Sequence, residues 1–207
     1  MGKLEANKQQ KLTSLLNTAF NLFTTQGVAK TSIAEISQKA GIAKGTFYLY
    51  FKDKYDIRNR LISHESSKLF KNAVADLEEF SMEKDEQLDF DEKIIFIINH
   101  IVDELNSNQT LLTFISKNLS WGIFKEALTT KVASDDINFK DVYYEMINAE
   151  DISLEEPEIM LFLIVELVSS TCYSAILYKE PADIDTIKPY LFKTVRAIIR
   201  EHTITIQ

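Results

Sequence analysis

Proline does not occur before Pro157, and the whole chain has only 3 prolines and 5 glycines among 207 residues. A fold of many short strands needs a turn roughly every 8 to 12 residues, and turns are made mostly of glycine, proline and small polar residues. The shortage predicts an almost entirely helical protein. With 45% hydrophobic and 26% charged residues, the chain can bury a sizeable core in one large domain, or in a small domain joined to a larger one. The single cysteine, Cys172, excludes an intramolecular disulfide and suits a reducing compartment. The N-terminal MGKLEANKQQ lacks the apolar centre of a signal peptide, so a cytoplasmic location is expected. His64, His100 and His202 are scattered, and no metalloprotease helix, paired-cysteine spacing or glycine-rich phosphate loop occurs. No enzyme activity, metal or cofactor is expected.

The net charge of -8 conceals an asymmetry. Residues 1–60 carry ten Lys or Arg against four acids, a balance of +6, which leaves -14 on the remainder. Such a basic head turns one end of the molecule toward a polyanion and keeps the acidic rest away from it.

The head contains the densest local signals. Residues 8–26 read as a helix with Leu12, Leu15, Leu16, Ala19, Phe20 and Phe23 on one stripe and Gly27 as its stop. The run from Lys30 to Lys54 then packs two short helices around a tight turn. Ser32 and Glu35 fit a capping box, Ile33, Ile36 and Ala40 share a face, and Gly41 lets the chain leave sharply with Ile42 behind the turn. A second helix over about Ala43 to Tyr50 turns Phe47 and Phe51 inward. Leu15, Phe20 and Phe23 are expected to form one core with Ile36, Ile42 and Phe47. This is the pattern of a helix-turn-helix, whose second helix enters the major groove of DNA. On it, Lys44 can reach a phosphate or a base edge, Gly45 allows close backbone approach, and Thr46 offers a hydroxyl or a methyl. Tyr48 and Tyr50 offer phenols to phosphates, and Lys54 is expected to clamp a phosphate at the start of the next helix.

The run resembles the DNA-binding signature of TetR-type bacterial transcriptional regulators, in Ala40-Gly41-Ile42, Lys44-Gly45-Thr46, Tyr48, Tyr50-Phe51 and Lys54. The resemblance is close over about the first 60 residues and extends to the rest only in length and helical pattern. It implies an all-α protein with a three-helix DNA-binding head over residues 1–53 and a helical ligand-binding and dimerisation body over 54–207. It implies DNA contact at Lys44, Gly45, Tyr48 and Lys54, with support near Thr31 and Ser32. Ala43 and Leu49 are apolar where the family is often polar, which leaves methyl packing or no base contact there in place of base-specific hydrogen bonds. The implied function is a ligand-responsive regulator, a repressor binding a palindromic operator in double-stranded DNA as a homodimer. The reading from another class is a helical interaction or membrane-associated protein whose basic head binds acidic protein or lipid surfaces.

In the body, a long helix is expected from about Lys54 to Phe80, with Ile57, Leu61, Leu69, Ala73, Val74 and Leu77 inward, followed by a charged turn over 81–93. Ile94 to Leu105 should be buried on most sides, with one or two helices over 109–131 and another over 136–149. The ligand chamber that the resemblance implies has candidate lining in Phe96, His100, Phe114, Trp121, Phe124, Tyr143 and Met146. Residues 159–178 carry one charge in twenty and are long enough to span a bilayer. Glu166 near the centre would cost roughly 3 kcal/mol there, and a buried helix has the same signature, so no membrane partner is expected. The last helix, about 187–202, is expected to hold Pro189 in its first turn. These two helices from each of two chains would form a four-helix interface, with candidates Phe162, Val165, Ser169, Cys172, Tyr173, Leu191, Val195 and Ile198.

Overall fold

A computed structural model of the chain describes residues 3–84, 88–118, 139–150 and 152–204. The described residues form α1 (Lys3–Gln26), α2 (Ile33–Lys39), α3 (Lys44–Phe47), α4 (Lys54–Lys84), α5 (Phe90–Ser107), α6 (Gln109–Asn118), α7 (Phe139–Ala149), α8 (Pro157–Leu177) and α9 (Ile184–His202). The only extended pairing among them is an isolated antiparallel bridge between Leu154 and Thr203. The all-α expectation is met. Leu119, Trp121, Gly122, Ile123, Phe124 and Leu128 lie outside the described residues.

Residues 3–67 belong to a first compact unit, and most of the remainder to a second, so the division falls inside α4. In the first unit α1 buries Leu15, Leu16, Ala19, Leu22 and Phe23, while Leu12 and Phe20 stay half-buried at the edges of the stripe. Gly27, at φ +84°, stops the helix, and its amide donates to the Phe23 carbonyl at 3.1 Å. Ser32 caps α2 by accepting from the Glu35 amide at 3.1 Å. The reciprocal half of the expected capping box is not used. The Glu35 carboxylate instead accepts from Gln26 Nε2 at 2.9 Å and pairs with Lys39 at 3.2 Å, which also holds its pKa below the ordinary value. A local cap has become a strut between α1 and α2.

The turn after α2 is a Schellman motif: the Ile42 amide donates to Ser37 O at 2.9 Å, the Gly41 amide to Gln38 O at 3.1 Å, and Gly41 sits at φ +69°. A Cβ at Gly41 would meet nothing within 4 Å, so the demand for glycine is one of backbone conformation alone. Gly41→Ala is therefore expected to lower the stability of the head by about 1 kcal/mol, read as a shift in its urea midpoint, and Gly41→Asn by less.

The second helix is shorter than its sequence suggests. Only Lys44–Phe47 is α-helical, and the chain then tightens, with Leu49 N donating to Thr46 O and Tyr50 N to Phe47 O. Ala43 caps it without a side-chain hydrogen bond, and the Thr-Phe-Tyr sequence has weak helix propensity. Phe51 must also return to the core, where its ring lies 5.5 Å from that of Phe47, both fully buried.

The charged stretch 81–93 is helical at both of its described ends. Ser81–Lys84 remain in α4, and α5 opens at Phe90 with a complete capping box between Asp89 and Glu92. Asp89 is held below the ordinary carboxylate pKa by the hydrogen bond from Asp91, which is pushed up in turn. Asp91 also accepts from Arg196 of α9 at 3.0 Å.

In the second unit α8 and α9 pack along one another and both meet α5. α9 starts earlier than expected, because Asp183 caps it through the Thr186 amide at 2.9 Å. That places Pro189 in the second turn, where its missing N–H removes one helical bond on an exposed face. The α9 stripe Ile184, Leu191, Val195 and Ile199 faces inward. Its end is pinned to the approach of α8 by Glu155 N donating to His202 O at 2.7 Å and Ile204 N to Ser153 O at 2.8 Å.

Three of the proposed interface residues are thereby corrected. Cys172, Leu191 and Val195 are buried within the protomer, so their side chains cannot face a second chain. Burial pushes the Cys172 thiol up to about 12, as suits a small core residue and not a nucleophile. Phe162, Val165, Ser169 and Tyr173 lie half-buried on one stripe of α8, as does Ile198 on α9. Helix α8 is long and apolar enough to cross a membrane by length and composition, with mean hydropathy 1.9, yet only one of its faces is buried here.

The described candidate pocket residues sit in different settings. Phe96 and His100 line a shallow groove of about 380 Å3 with Asn99, Asp103, Glu104 and Ser107. His100 is held between Asp76, 2.9 Å from Nδ1, and Glu104, 3.4 Å from Nε2. Tyr143 is core: its hydroxyl donates to Pro157 O at 3.0 Å, its ring stacks on Phe139, and burial raises its pKa above the ordinary phenol range. Phe114 is buried and Met146 half-buried. Trp121 and Phe124 fall outside the described residues.

Candidate nucleic-acid interface

Residues far apart in sequence meet in the head. Lys30, Thr31, Ser32, Lys44, Tyr48 and Lys54 line one concave surface of about 540 Å3, together with Ala29, Ile33, Ala34, Asp53 and Tyr55. Five of these are sequence-expected contact residues. Lys30 and Tyr55 are additions, each adjacent in sequence to an expected residue, and only the fold shows that they share its surface.

Within this group the roles differ. Lys44 is exposed on the first turn of α3, with Tyr48 one turn on and 51% exposed. Ser32 is exposed, but its hydroxyl oxygen is engaged as the α2 cap. Thr31 faces inward at 1% exposure; its hydroxyl donates to Gly27 O at 2.8 Å and accepts from Gln26 Nε2 at 3.3 Å. It is a post for the loop and offers no side-chain contact to a partner. Lys54 likewise has a structural task, because its ammonium donates to Ala29 O at 2.9 Å and Thr31 O at 3.2 Å and ties the start of α4 to the loop before α2. One of its three donors remains for a phosphate. The amides expected beside it are already occupied, since Asp53 Oδ1 accepts from Tyr55 N at 2.7 Å and Asp56 N at 2.9 Å.

The other three expected contacts lie off this surface. The Tyr50 hydroxyl donates to Lys8 O of α1 at 3.3 Å, which props α3 against α1. Gly45 is exposed, and a Cβ there would meet nothing within 4 Å. Thr46 is half-buried. The α3 element thus carries two outward tracks at four-residue spacing, Lys44 with Tyr48 and Gly45 with Leu49. The first faces the cationic surface; the second has no polar side chain.

Known proteins resemble the chain in sequence over the head and in fold over most of its length. Residues 15–61 match the family described as bacterial regulatory proteins, tetR family. The HTH-type transcriptional regulator AcrR of Shigella flexneri is 40% identical over 55 residues, covering 27% of this chain and 26% of that protein. The fatty acid metabolism regulator protein of Bacillus subtilis is 28% identical over 78 residues, covering 38% and 40%. The matches to these curated relatives thus span well under half of their lengths. Whole-chain likeness comes from solved structures. A TetR transcriptional regulator from Rhodococcus superposes with a TM-score of 0.63 at 16% identity, covering 93% of this chain and 97% of that one. The regulator FadR of Bacillus subtilis, solved with stearoyl-CoA, gives 0.60 at 18% identity, covering 88% and 96%. Residues 15–61 thus carry the sequence of a tetR-family DNA-binding head, and nearly the whole chain has the fold of the solved TetR-type regulators.

Proposed function

We propose that this chain is a ligand-responsive repressor that binds a palindromic operator in double-stranded DNA as a homodimer in the cytoplasm. The observation that carries the reading is the convergence of Lys30, Lys44, Tyr48 and Lys54 on one concave surface of a head that holds +6 over residues 1–60. Cations and a phenol on a rigid helical mount suit phosphate oxygens, which set the register of a recognition element. Two heads related by a two-fold axis would present α3 to half-sites about one DNA turn apart, roughly 34 to 36 Å or a multiple. For the body, the FadR neighbour's stearoyl-CoA supports a small-molecule effector. An effector that distinguishes two arrangements of the dimer by about 2.7 kcal/mol would change operator affinity about a hundredfold.

Lys44 is the clean probe of this reading. Its side chain is exposed, so Lys44→Glu should leave unfolding within about 0.5 kcal/mol of wild type. Operator affinity should fall about tenfold per subunit at 0.1 M salt, and the slope of log K against log salt should lose about one unit per subunit. An unchanged slope would remove Lys44 from the interface. Lys54 is a poorer probe, because its substitution also releases the carbonyls of Ala29 and Thr31.

A further inference from the structure

The track beside the cationic surface is built to meet something apolar. Leu49 is 82% exposed, an unusual state for a large aliphatic side chain, and it stands one turn beyond Gly45, whose bare backbone keeps the neighbouring surface low. Ala43 is also exposed at the entry to α3. Leu49 is thus the apolar high point of an element flanked on its other side by Lys44 and Tyr48. A duplex held by those cations would bring base edges to this track, and the major-groove edge of a base pair presents just one apolar feature, the C5-methyl group of thymine. Hydrogen-bonding side chains that could read the polar code are missing at residues 43, 45 and 49.

We propose that this protein selects its operator through thymine methyl groups, with Leu49 as the reading side chain and Ala43 as a second apolar contact. The inference rests on the DNA-binding reading above. It assigns the specificity of that site to methyl burial, and it leaves the hydrogen-bonded positioning to phosphate contacts. The apolar track also sets what the protein should ignore: exchanges that alter donors and acceptors opposite Leu49 matter less than loss of a methyl.

Deoxyuridine provides the test, since it differs from thymidine only by that methyl. The preferred site is first selected from a random duplex pool with the full-length protein, and each thymine of the half-site is then replaced singly by deoxyuridine. At one or two positions the replacement should weaken binding about fourfold, the effect of burying one methyl. Leu49→Ala should bind the thymine and uracil duplexes equally at the position with the larger effect, the one Leu49 reads, while unfolding like wild type, because the side chain is exposed. A selected duplex bound tightly and indifferently to every such replacement would overturn the methyl proposal and leave the repressor reading standing. Equal discrimination by wild type and Leu49→Ala would move the reading away from Leu49. Failure to enrich any duplex would overturn both readings.

Discussion

Phe47→Ala is expected to unfold the head and abolish operator binding. The ring is fully buried, lying 5.5 Å from that of Phe51 and edge-on to Tyr48 at 5.6 Å. The Phe47 carbonyl also accepts from the amides of Tyr50 and Phe51, at 2.9 and 3.0 Å, so the residue anchors both the side-chain core and the chain's exit from α3. Truncating a buried phenylalanine costs about 3 to 5 kcal/mol. A unit of this size has only about 3 to 10 kcal/mol of stability, so the loss is comparable to the whole. Hydrogen exchange should show α1 to α3 losing protection, and a mobility shift on the selected operator should disappear. Retention of both would mean that α3 is held by something other than this ring. The replacement Phe47→Leu, which keeps most of the volume, should retain binding with a smaller loss of stability.

The second large effect is expected at α8, where Leu163→Asp should convert the proposed homodimer to a monomer. This helix is apolar over most of its surface, and the protomer buries the face bearing Met160, Leu161, Ile164, Cys172, Ala175 and Ile176. The opposite stripe leaves Ile159 50% and Leu163 42% exposed, followed at three- and four-residue spacing by Glu166 and Ser170. A soluble monomer rarely leaves aliphatic side chains aligned in this way, and a second copy of the same face would cover them around a two-fold axis. An aspartate at position 163 would put a charge in that apolar contact without disturbing the inward face. Sedimentation equilibrium should then give the monomer mass. Loss of bivalent engagement should lower operator affinity by about 10² to 10⁴. A dimer mass unchanged from wild type would place the interface elsewhere. The corrected positions of Cys172, Leu191 and Val195 make the contrast useful: substitutions there should lower protomer stability first.

The two experiments separate the halves of the proposed mechanism. Phe47→Ala removes the reader and should leave the mass of the assembly unchanged. Leu163→Asp removes the pairing and should leave the fold of the head unchanged.

How much of this was legible in the chain follows from the range over which each signal acts. The all-helical class, the stop at Gly27, the Ser32 cap and the Gly41 turn are decided by residues within about four positions of one another, so periodicity and turn chemistry reveal them directly. The inward face of Phe47 and Phe51, four residues apart, was readable for the same reason. The partners of Lys54 are 25 and 23 residues away, that of the Tyr50 hydroxyl is 42 away, and Glu35 turns from its own helix start to Gln26, nine positions back. Nothing in a local pattern says which polar atom such a side chain will find, so Thr31 and Lys54 read as contact residues and proved to be largely mounts. The spacing of Leu191 and Val195 on α9 was likewise visible, but whether these side chains meet their own chain or a second one depends on which helix packs there first. Local hydrogen bonding and apolar spacing determined that the chain makes these helices and where most begin and end. Tertiary packing decided which side chains remained exposed, because exposure is set by neighbours that come from distant parts of the chain.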